Sequence, residues 1–438
     1  MQFDLFAACL PGLEPLLAAE LTALGAEPVP APGGCAFRGG PDLLLRAHLS
    51  LGTASHVLLR CATFRCLSLA ELERRAASLP WRGWLSRDVL IEVDATAKKS
   101  KLYHSGAIAE RVENGMKQAL GIAEKPKVAP QPTPSKKRAA NKPLSAAAKR
   151  GRGPNAPKPD AKWLARQAEI AAQREAEAAA EAAKEAEALA LALANHPTVR
   201  IAVRFVDDVA TISLDTSATP LHRRGYRLDG AKAPLREDIA FAVLQAAGFR
   251  KGMALLDPFC GSGTIAIEAA CIAAGLPPGR LRPAPLQGFA FADAAEWQKL
   301  LAQFPAAPTS PIEGSTIVAS DRDAGAVQAA IQNAERAGVR AAIDFTCCAI
   351  SAAKWLATPK DAPRDLLVAT NPPFGRRVGT GSDLLPLYQT LGHRTARIEG
   401  ARAAILAHDV NLCRRTGLDL KAAFTTRHGG LSVSCLVS

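Results

Sequence analysis

The sequence predicts an α/β protein whose C-terminal half is a doubly wound, Rossmann-like sheet ending in an antiparallel hairpin. Three observations predict it. From Glu237 onward, short strand-like runs alternate with helical runs, the pattern of parallel βαβ units. A glycine-rich turn, Asp257-Pro258-Phe259-Cys260-Gly261-Ser262-Gly263-Thr264, joins the first of these strands to an apolar helix. The chain closes with two strand runs around His428-Gly429-Gly430, which read as a hairpin.

Element by element, Gly12 to Ala23 reads as a helix with Leu13, Leu16, Leu17 and Leu21 on one face. Val89–Asp94 is a strand, followed by a basic loop Ala97–Lys101 and a helix from Gly106 to Leu120. Val199–Val206 and Val209–Leu214 form a hairpin turning at Asp207-Asp208. The C-terminal half then runs through helix Glu237–Ala247, strand Ala254–Asp257, helix Gly263–Ala274, strand Thr316–Asp321, helix Ala324–Ala337, and strands Ala342–Thr346, Leu366–Thr370 and Ala401–His408. Lys421–Thr426 and Leu431–Val437 complete it.

The 438 residues suggest about three domains, and 48% hydrophobic content excludes wholesale disorder. Lys and Arg number 54 against 41 Asp and Glu, a net charge of +13. Such an excess favours a polyanionic partner, nucleic acid before an anionic membrane. Residues 123–162 hold eleven Lys/Arg, two acids and eight prolines, a disordered electrostatic arm in expectation. That segment accounts for +9, leaving +4 for the rest. Residues 163–194, almost all Ala, Glu, Gln, Arg, Lys and Leu, predict a long solvated helix ending at Asn195 and Pro197. Removing 123–195 joins helix 106–120 to the hairpin, so the segment reads as an insert grafted into one domain.

The N-terminus has no basic stretch before its apolar run, and Glu14 and Glu20 interrupt that run, so no secretory signal is expected. No run of 18 apolar residues occurs, so no membrane helix is expected. The ten cysteines form no C-x-x-C pair and no His cluster stands at ligand spacing. They read as buried small hydrophobes in a reducing cytoplasm, with no metal expected.

The glycine turn lets the backbone approach a cofactor at a helix N-terminus. It is neither a P-loop, since no Lys follows the second Gly, nor a full dinucleotide fingerprint, since Ile267 holds the third glycine position. Asp321, at the end of the next strand, can accept both hydroxyls of a ribose; the plainer reading is that Asp321 or Asp323 caps the following helix. Asn371-Pro372-Pro373-Phe374 follows the apolar strand Leu366–Thr370. Two prolines fix the backbone and remove donors, leaving the Asn371 side chain and the Pro372 carbonyl as acceptors for a base amino group. Holding both amine hydrogens aims the nitrogen lone pair at an electrophile, and Phe374 can stack on the base.

These three elements resemble class I S-adenosylmethionine-dependent methyltransferases acting on exocyclic amines. Pro220–Arg227, Ala233–Glu237, the insertion from Gly275 to Trp297, the N-terminal Leu5-Phe6-Ala7 and Gly12-Leu13-Glu14, and Ser100–His104 are similar to the THUMP-domain RNA guanine-N2 methyltransferases. The resemblance covers nearly everything outside about 123–195. It implies a ferredoxin-like part over 1–45, a THUMP RNA-binding domain over 46–122 plus 196–218, and a methyltransferase domain over 219–438. It implies S-adenosylmethionine as cofactor, held by Asp257, Pro258, Gly261, Ser262, Gly263, Thr264, Asp321 and Arg322, with Tyr226 and Glu237 from the lead-in. Asn371, Pro372, Pro373 and Phe374 would present the guanine amine. Lys98, Lys99, Lys101, Arg223, Arg224, Arg376 and Arg377 would contact RNA. One departure matters: where relatives carry an acid near the adenine amine, this chain has Ala349 in Thr346-Cys347-Cys348-Ala349.

The expectation is a cytoplasmic enzyme that methylates guanine N2 in rRNA first and tRNA second, by direct in-line transfer. Adenine-N6 methylation, which Asn-Pro-Pro-Phe also serves, and a non-catalytic RNA-binding assembly factor are the alternatives.

Overall fold

The computed structural model describes residues 1–86, 89–121, 197–227, 235–374 and 384–438. The expected insert 123–195, the lead-in residues Ala233 and Pro234, and Arg376 and Arg377 lie outside the described residues.

A period of two builds the N-terminal half. β6 (Thr198–Val206) buries Val199, Ile201, Val203 and Phe205 and exposes Arg200 and Arg204. The chain returns as β7 (Val209–Asp215) through Asp207 and Asp208, with φ of 50° and 64°. Two consecutive left-handed residues give a turn whose twist matches a hairpin, and Asp tolerates that conformation. β1 (Phe3–Cys9), β2 (Val29–Ala31), β3 (Gly34–Gly39), β4 (Ala54–Arg65) and β5 (Leu90–Lys98) complete a seven-stranded sheet ordered β2-β3-β1-β4-β7-β6-β5. The long strand β4 pairs with β1 through one end and with β7 through the other. One sheet therefore runs on either side of residue 45, where the sequence reading divides the module. Helices α1 (Glu14–Ala23), α2 (Pro41–Ser50), α3 (Leu69–Ala77), α4 (Trp81–Trp84) and α5 (Ser105–Leu120) add Leu17, Leu44, Leu72, Trp81 and Val112 to its core. Truncating a fully buried aromatic such as Phe205 costs about 3–5 kcal/mol.

Most boundaries shift by a residue or two from expectation, and two of the shifts have a clear cause. α1 starts at Glu14, not Gly12, because Gly12 has φ 90° and cannot be helical. A Cβ there would lie 2.0 Å from the carbonyl oxygen of Thr425, in the C-terminal sheet. β5 continues to Lys98 because its parallel pairing with β6 runs to Lys98 opposite Val206. Lys98 is thus a strand residue, and the basic loop starts at Lys99, whose φ is 50°.

The C-terminal sheet contains β8 (Ala254–Asp257), β9 (Ile317–Asp321), β10 (Ile343–Cys347), β11 (Leu366–Thr370), β12 (Arg402–Ala407), β13 (Lys421–His428) and β14 (Leu431–Val437) in the order β10-β9-β8-β11-β12-β14-β13. β8 to β12 pair in parallel; β14 is antiparallel to β12 and forms the closing hairpin with β13. Helices α6 (Glu237–Ala246), α7 (Thr264–Ala273), α8 (Ala294–Leu301), α9 (Ala324–Arg336), α10 (Leu385–Thr395) and α11 (Val410–Arg414) alternate with these strands. From β8 the chain winds outward through β9 and β10, then crosses back to β11 on β8's other side. The crevice at the carboxyl ends of β8 and β11 is the topological switch point where such sheets bind ligands.

Residues 275–293 strap the two halves together. Gly279 N donates to Leu49 O (2.8 Å), Ala290 N to Trp84 O (2.9 Å), and Ser86 N to Gly288 O (2.9 Å). Arg282 donates to His48 O, and the Phe3 and Phe291 rings lie 4.6 Å apart. Behind the strap, Glu20 accepts from Gly52 N, Thr53 N and Thr53 Oγ1, and burial raises its pKa to about 7. His48 Nε2 lies 2.8 Å from Thr216 Oγ1, and burial holds its pKa well below the ordinary value.

Candidate active site

β8 delivers Asp257 to the switch point. Burial pushes its carboxyl up to about 7, against two hydrogen bonds that favour the charged form: Thr370 Oγ1 donates at 2.7 Å and Phe259 N at 3.2 Å. Thr370 is the last residue of β11, so this bond ties the ends of the two central strands across the crevice.

The glycine turn follows. Gly261 and Gly263 have φ of 50° and 83°, in the left-handed region. A Cβ on Gly263 would come within 2.9 Å of Ala330 Cβ on α9, so glycine is also required there for close packing. A Cβ on Gly261 would meet nothing within 4 Å; that side of the turn is an open cradle. The turn is pinned at two points: Gly261 N donates to Asp321 Oδ2 (3.0 Å), and Asn333 Nδ2 donates to Ser262 O (2.9 Å). Thr264 opens α7, and its Oγ1 accepts from Arg227 at 2.7 Å.

Asp321 ends β9. Its Oδ1 accepts from Asp323 N at 3.0 Å, while Asp323 itself caps α9 by accepting from Ala326 N. The cap is therefore Asp323, and each Asp321 oxygen keeps a lone pair beyond its one internal bond. Arg322 is exposed next to it.

Beyond β11, Asn371 Oδ1 is buried with no hydrogen-bond partner among the described residues. Pro372 is buried, and Phe374 is half-buried with its ring 6.4 Å from that of His408. His408 Nδ1 lies 2.7 Å from Ser432 O. A carbonyl only accepts, so Nδ1 carries the hydrogen and, in the neutral ring, Nε2 keeps its lone pair. The structure thus brings Asp257, Pro258, Gly261, Ser262, Gly263, Thr264, Asp321, Arg322 and Asn371 through Phe374 to one edge of the sheet.

Three expected residues stand elsewhere. Arg224, expected at RNA, is a correction: it is 2% exposed, donates to Leu221 O (2.7 Å) and Gly52 O (2.6 Å), and lies 3.6 Å from Glu268. It cements the two halves and has no surface to offer. Tyr226, expected at the cofactor, is buried with its O–H donating to Glu268 Oε1 at 3.0 Å, so it braces α7 from within. Glu237 is buried 3.5 Å from Arg227 and reaches the turn only through the Arg227 bond to Thr264. Burial raises the pKa of both Tyr226 and Glu237. Lys98, Lys99, Lys101 and Arg223 are exposed.

Cys260 is buried in the turn, and burial pushes its thiol far up, which removes it as a nucleophile. Ala349 is exposed just beyond β10 and brings no acid to that rim. Among the described residues no cluster of three His, Cys, Asp or Glu could hold a metal, and no helix is long and apolar enough to cross a membrane.

Thr370, Asn333 and His408 escape the sequence reading. A hydroxyl ending an apolar strand and a polar residue on the buried face of α9 are the available signals for the first two; nothing in the sequence marks His408.

Residues 224–433 match the family model of the RMKL-like methyltransferase domain, and residues 4–58 match that of the RlmL ferredoxin-like domain. The ribosomal RNA large subunit methyltransferase K/L of Syntrophotalea carbinolica is 30% identical over 98% of this chain and 53% of its own length. The putative RNA methyltransferase slr0064 of Synechocystis is 27% identical over 98% of this chain and 95% of its own. The chain spans about half the length, or less, of the K/L relatives it matches. SMU.472, a putative methyltransferase complexed with SAH, superposes with a TM-score of 0.75 at 21% identity, covering 100% of this chain and 97% of its own, a likeness of fold.

Proposed function

Since residues 224–433 match the family model of the RMKL-like methyltransferase domain, we propose that the chain transfers a methyl group from S-adenosylmethionine to the exocyclic N2 amine of a guanine in RNA, ribosomal RNA first and transfer RNA second. The observation that carries this reading is Asn371 Oδ1, a buried acceptor with no partner among the described residues, at the switch point. Such an atom is costly unless something donates to it. An aromatic amine with two hydrogens, shared between Asn371 Oδ1 and the Pro372 carbonyl, satisfies it.

The open cradle at Gly261 fits the cofactor, which brings an electrophilic sulfonium methyl. Asp257, Gly261 and Gly263 would hold its methionine part, with α7's free N–H groups at the turn. Asp321 would accept the ribose hydroxyls through its remaining lone pairs. Phe374 would stack on the guanine, leaving the amine lone pair facing the methyl. As the C–N bond forms, the methyl–sulfur bond would break and the neutral thioether would leave, and the amine would then lose its proton to water, so no strong base is required. The unbridged cysteines fit a reducing cytoplasm.

Two measurements test this. Nucleoside analysis of rRNA and tRNA from a deletion strain should show one N2-methylguanine missing; loss of an N6-methyladenine with every N2-methylguanine retained refutes the choice of base. Asn371→Ala should abolish turnover and keep cofactor binding. The rim without an acid at Ala349 is the one feature that favours a non-catalytic RNA-binding factor, and absence of S-adenosylmethionine binding at millimolar concentration would establish it.

A further inference from the structure

The N-terminal sheet has a face on which charge is unevenly balanced. On its two flanks the charges are paired: on β5 and β6 Arg200 lies 3.1 Å from Asp94 and 3.4 Å from Glu92, and on β1 and β3 Arg38 lies 3.0 Å from Asp4. On the same face Thr63 of β4, Thr211 of β7 and Arg204 of β6 form a row of directly opposite residues across three strands. The Thr63 and Thr211 hydroxyls are 3.5 Å apart. Arg60 and Arg65 flank that row along β4, and neither they nor Arg204 has a carboxylate within ion-pair distance among the described residues. Arg204, Arg65 and Thr63 are exposed. Arg60 lies over the Phe6 ring, 4.2 Å from its centroid, which fixes the guanidinium in place.

Three guanidiniums with no carboxylate at ion-pair distance among the described residues, set around two hydroxyls on a rigid sheet, make a cationic surface equipped to grip anions. Its members are spaced by strand separations of about 4.8 Å and same-face steps of about 7 Å, too wide for one small ion and suited to a chain of phosphates. We propose that Arg60, Arg65 and Arg204, with Thr63 and Thr211 between them, form a track for the phosphate backbone of the RNA substrate across the N-terminal sheet. Arginine forks and hydroxyls grip phosphate oxygens without reading bases, so the track sets register and leaves base choice to the catalytic crevice. Burial and the neighbouring Arg204 both lower the pKa of Arg60, as expected of cations held together without counter-charge. Asp207 and Asp208 close the far end; Asp208 Oδ1 is engaged by Lys101 N at 2.6 Å. The polyanion is taken as RNA because the proposed function supplies one, and the inference rests on that reading to this extent.

The test is the salt dependence of binding to a transcript of large-subunit ribosomal RNA, with S-adenosylmethionine affinity measured alongside. Removing one arginine–phosphate interaction should flatten the slope of log K against log salt by about 0.7–0.9. Arg60→Gln/Arg65→Gln/Arg204→Gln should flatten it by about 2–3, weaken binding at least tenfold at low salt, and leave cofactor affinity unchanged. The exposed single variant Arg204→Gln should flatten it by about 0.7–0.9, whether or not the triple variant folds. Arg200→Gln, already balanced by its two carboxylates, should leave it unchanged. A native slope in Arg204→Gln and in a folded triple variant overturns the track while leaving the methyltransferase reading intact, and is the result expected if the face instead serves an acidic protein. Failure of the native protein to bind either rRNA or tRNA overturns both.

Discussion

Replacing Thr370 with valine should separate the electrostatics of the crevice from its packing. The two side chains have nearly the same shape, and Thr370 is fully buried, so the change removes one O–H and little else. The bond removed is the 2.7 Å one to Asp257 Oδ1. Asp257 is an acid whose pKa is raised from 3.8 to about 7 in the fold. Its contribution to stability is therefore complete below about pH 3.8 and is lost as pH rises through about 7, where a buried carboxylate must form. At pH 5.5 the carboxyl is neutral, and losing a neutral hydrogen bond costs about 0.5–1.5 kcal/mol. At pH 8 it is charged, and the loss rises to about 1.5–3 kcal/mol. Urea unfolding at both pH values should show a lower midpoint for Thr370→Val with an unchanged m-value, and a larger drop at pH 8. Thr370→Ser should recover most of it. The positively charged cofactor should bind native protein more tightly as pH passes 7, and this rise should move to higher pH in the valine variant, because Thr370 is one of the groups that lower the Asp257 pKa. Equal losses at both pH values, or an unshifted cofactor profile, would refute the coupling.

Gly263→Ala should weaken the cofactor turn, since φ 83° and a 2.9 Å approach to Ala330 both oppose a Cβ; the left-handed conformation alone costs about 1–2 kcal/mol, and a native melting curve would contradict it. Arg224→Leu leaves buried Glu268 without its cation, which should cost about 3–5 kcal/mol while the salt slope of RNA binding stays native; a reduced slope would return Arg224 to the surface role the structure denies it. The junction should also respond to pH. His222, whose Nδ1 lies 3.2 Å from the Arg236 guanidinium, is lowered to about 4 chiefly by burial, so its contribution is complete above about 6.5 and is lost as pH falls through 4; burial lowers His48 as well, which acts in the same direction. Glu20, raised from 4.5 to about 7, acts oppositely: its contribution is present below 4.5 and lost as pH rises through 7. His222→Asn should flatten the acid limb of a melting-temperature profile, and an unaltered limb would contradict this.

Much of the crevice is legible in the sequence because its chemistry is local. A strand, a glycine turn and a helix are contiguous over 254–273, and Asn371-Pro372-Pro373-Phe374 restricts its own backbone. Asp321 is ambiguous between ligand and cap in the sequence; the structure gives the cap to the neighbouring Asp323 and leaves Asp321 at the carboxyl end of β9. Arg224 is misassigned from sequence because adjacent arginines look alike there, and only the fold decides that Arg223 meets water while Arg224 meets Glu268 and the Gly52 carbonyl. The role of Thr370 is hidden for a related reason: the hydroxyl at the strand end shows in the sequence, but its partner is 113 residues away. The open-face arginines are illegible because they belong to strand segments that share a face only after β4, β6 and β7 pair.

The approach of Gly12 to Thr425 has a bearing on how the molecule survives its own synthesis. β13 is the outermost strand of its sheet, and a bare strand edge invites pairing with other chains. It is made long after the segment around Gly12, and N-terminal units fold first during translation. A neighbour that lies within the same chain, and is complete before β13 arrives, can occupy that edge before another molecule does. Any side chain at position 12 would hold the neighbour off, and the first symptom should be insolubility in the newly made protein, with the cofactor crevice still intact in whatever fraction folds.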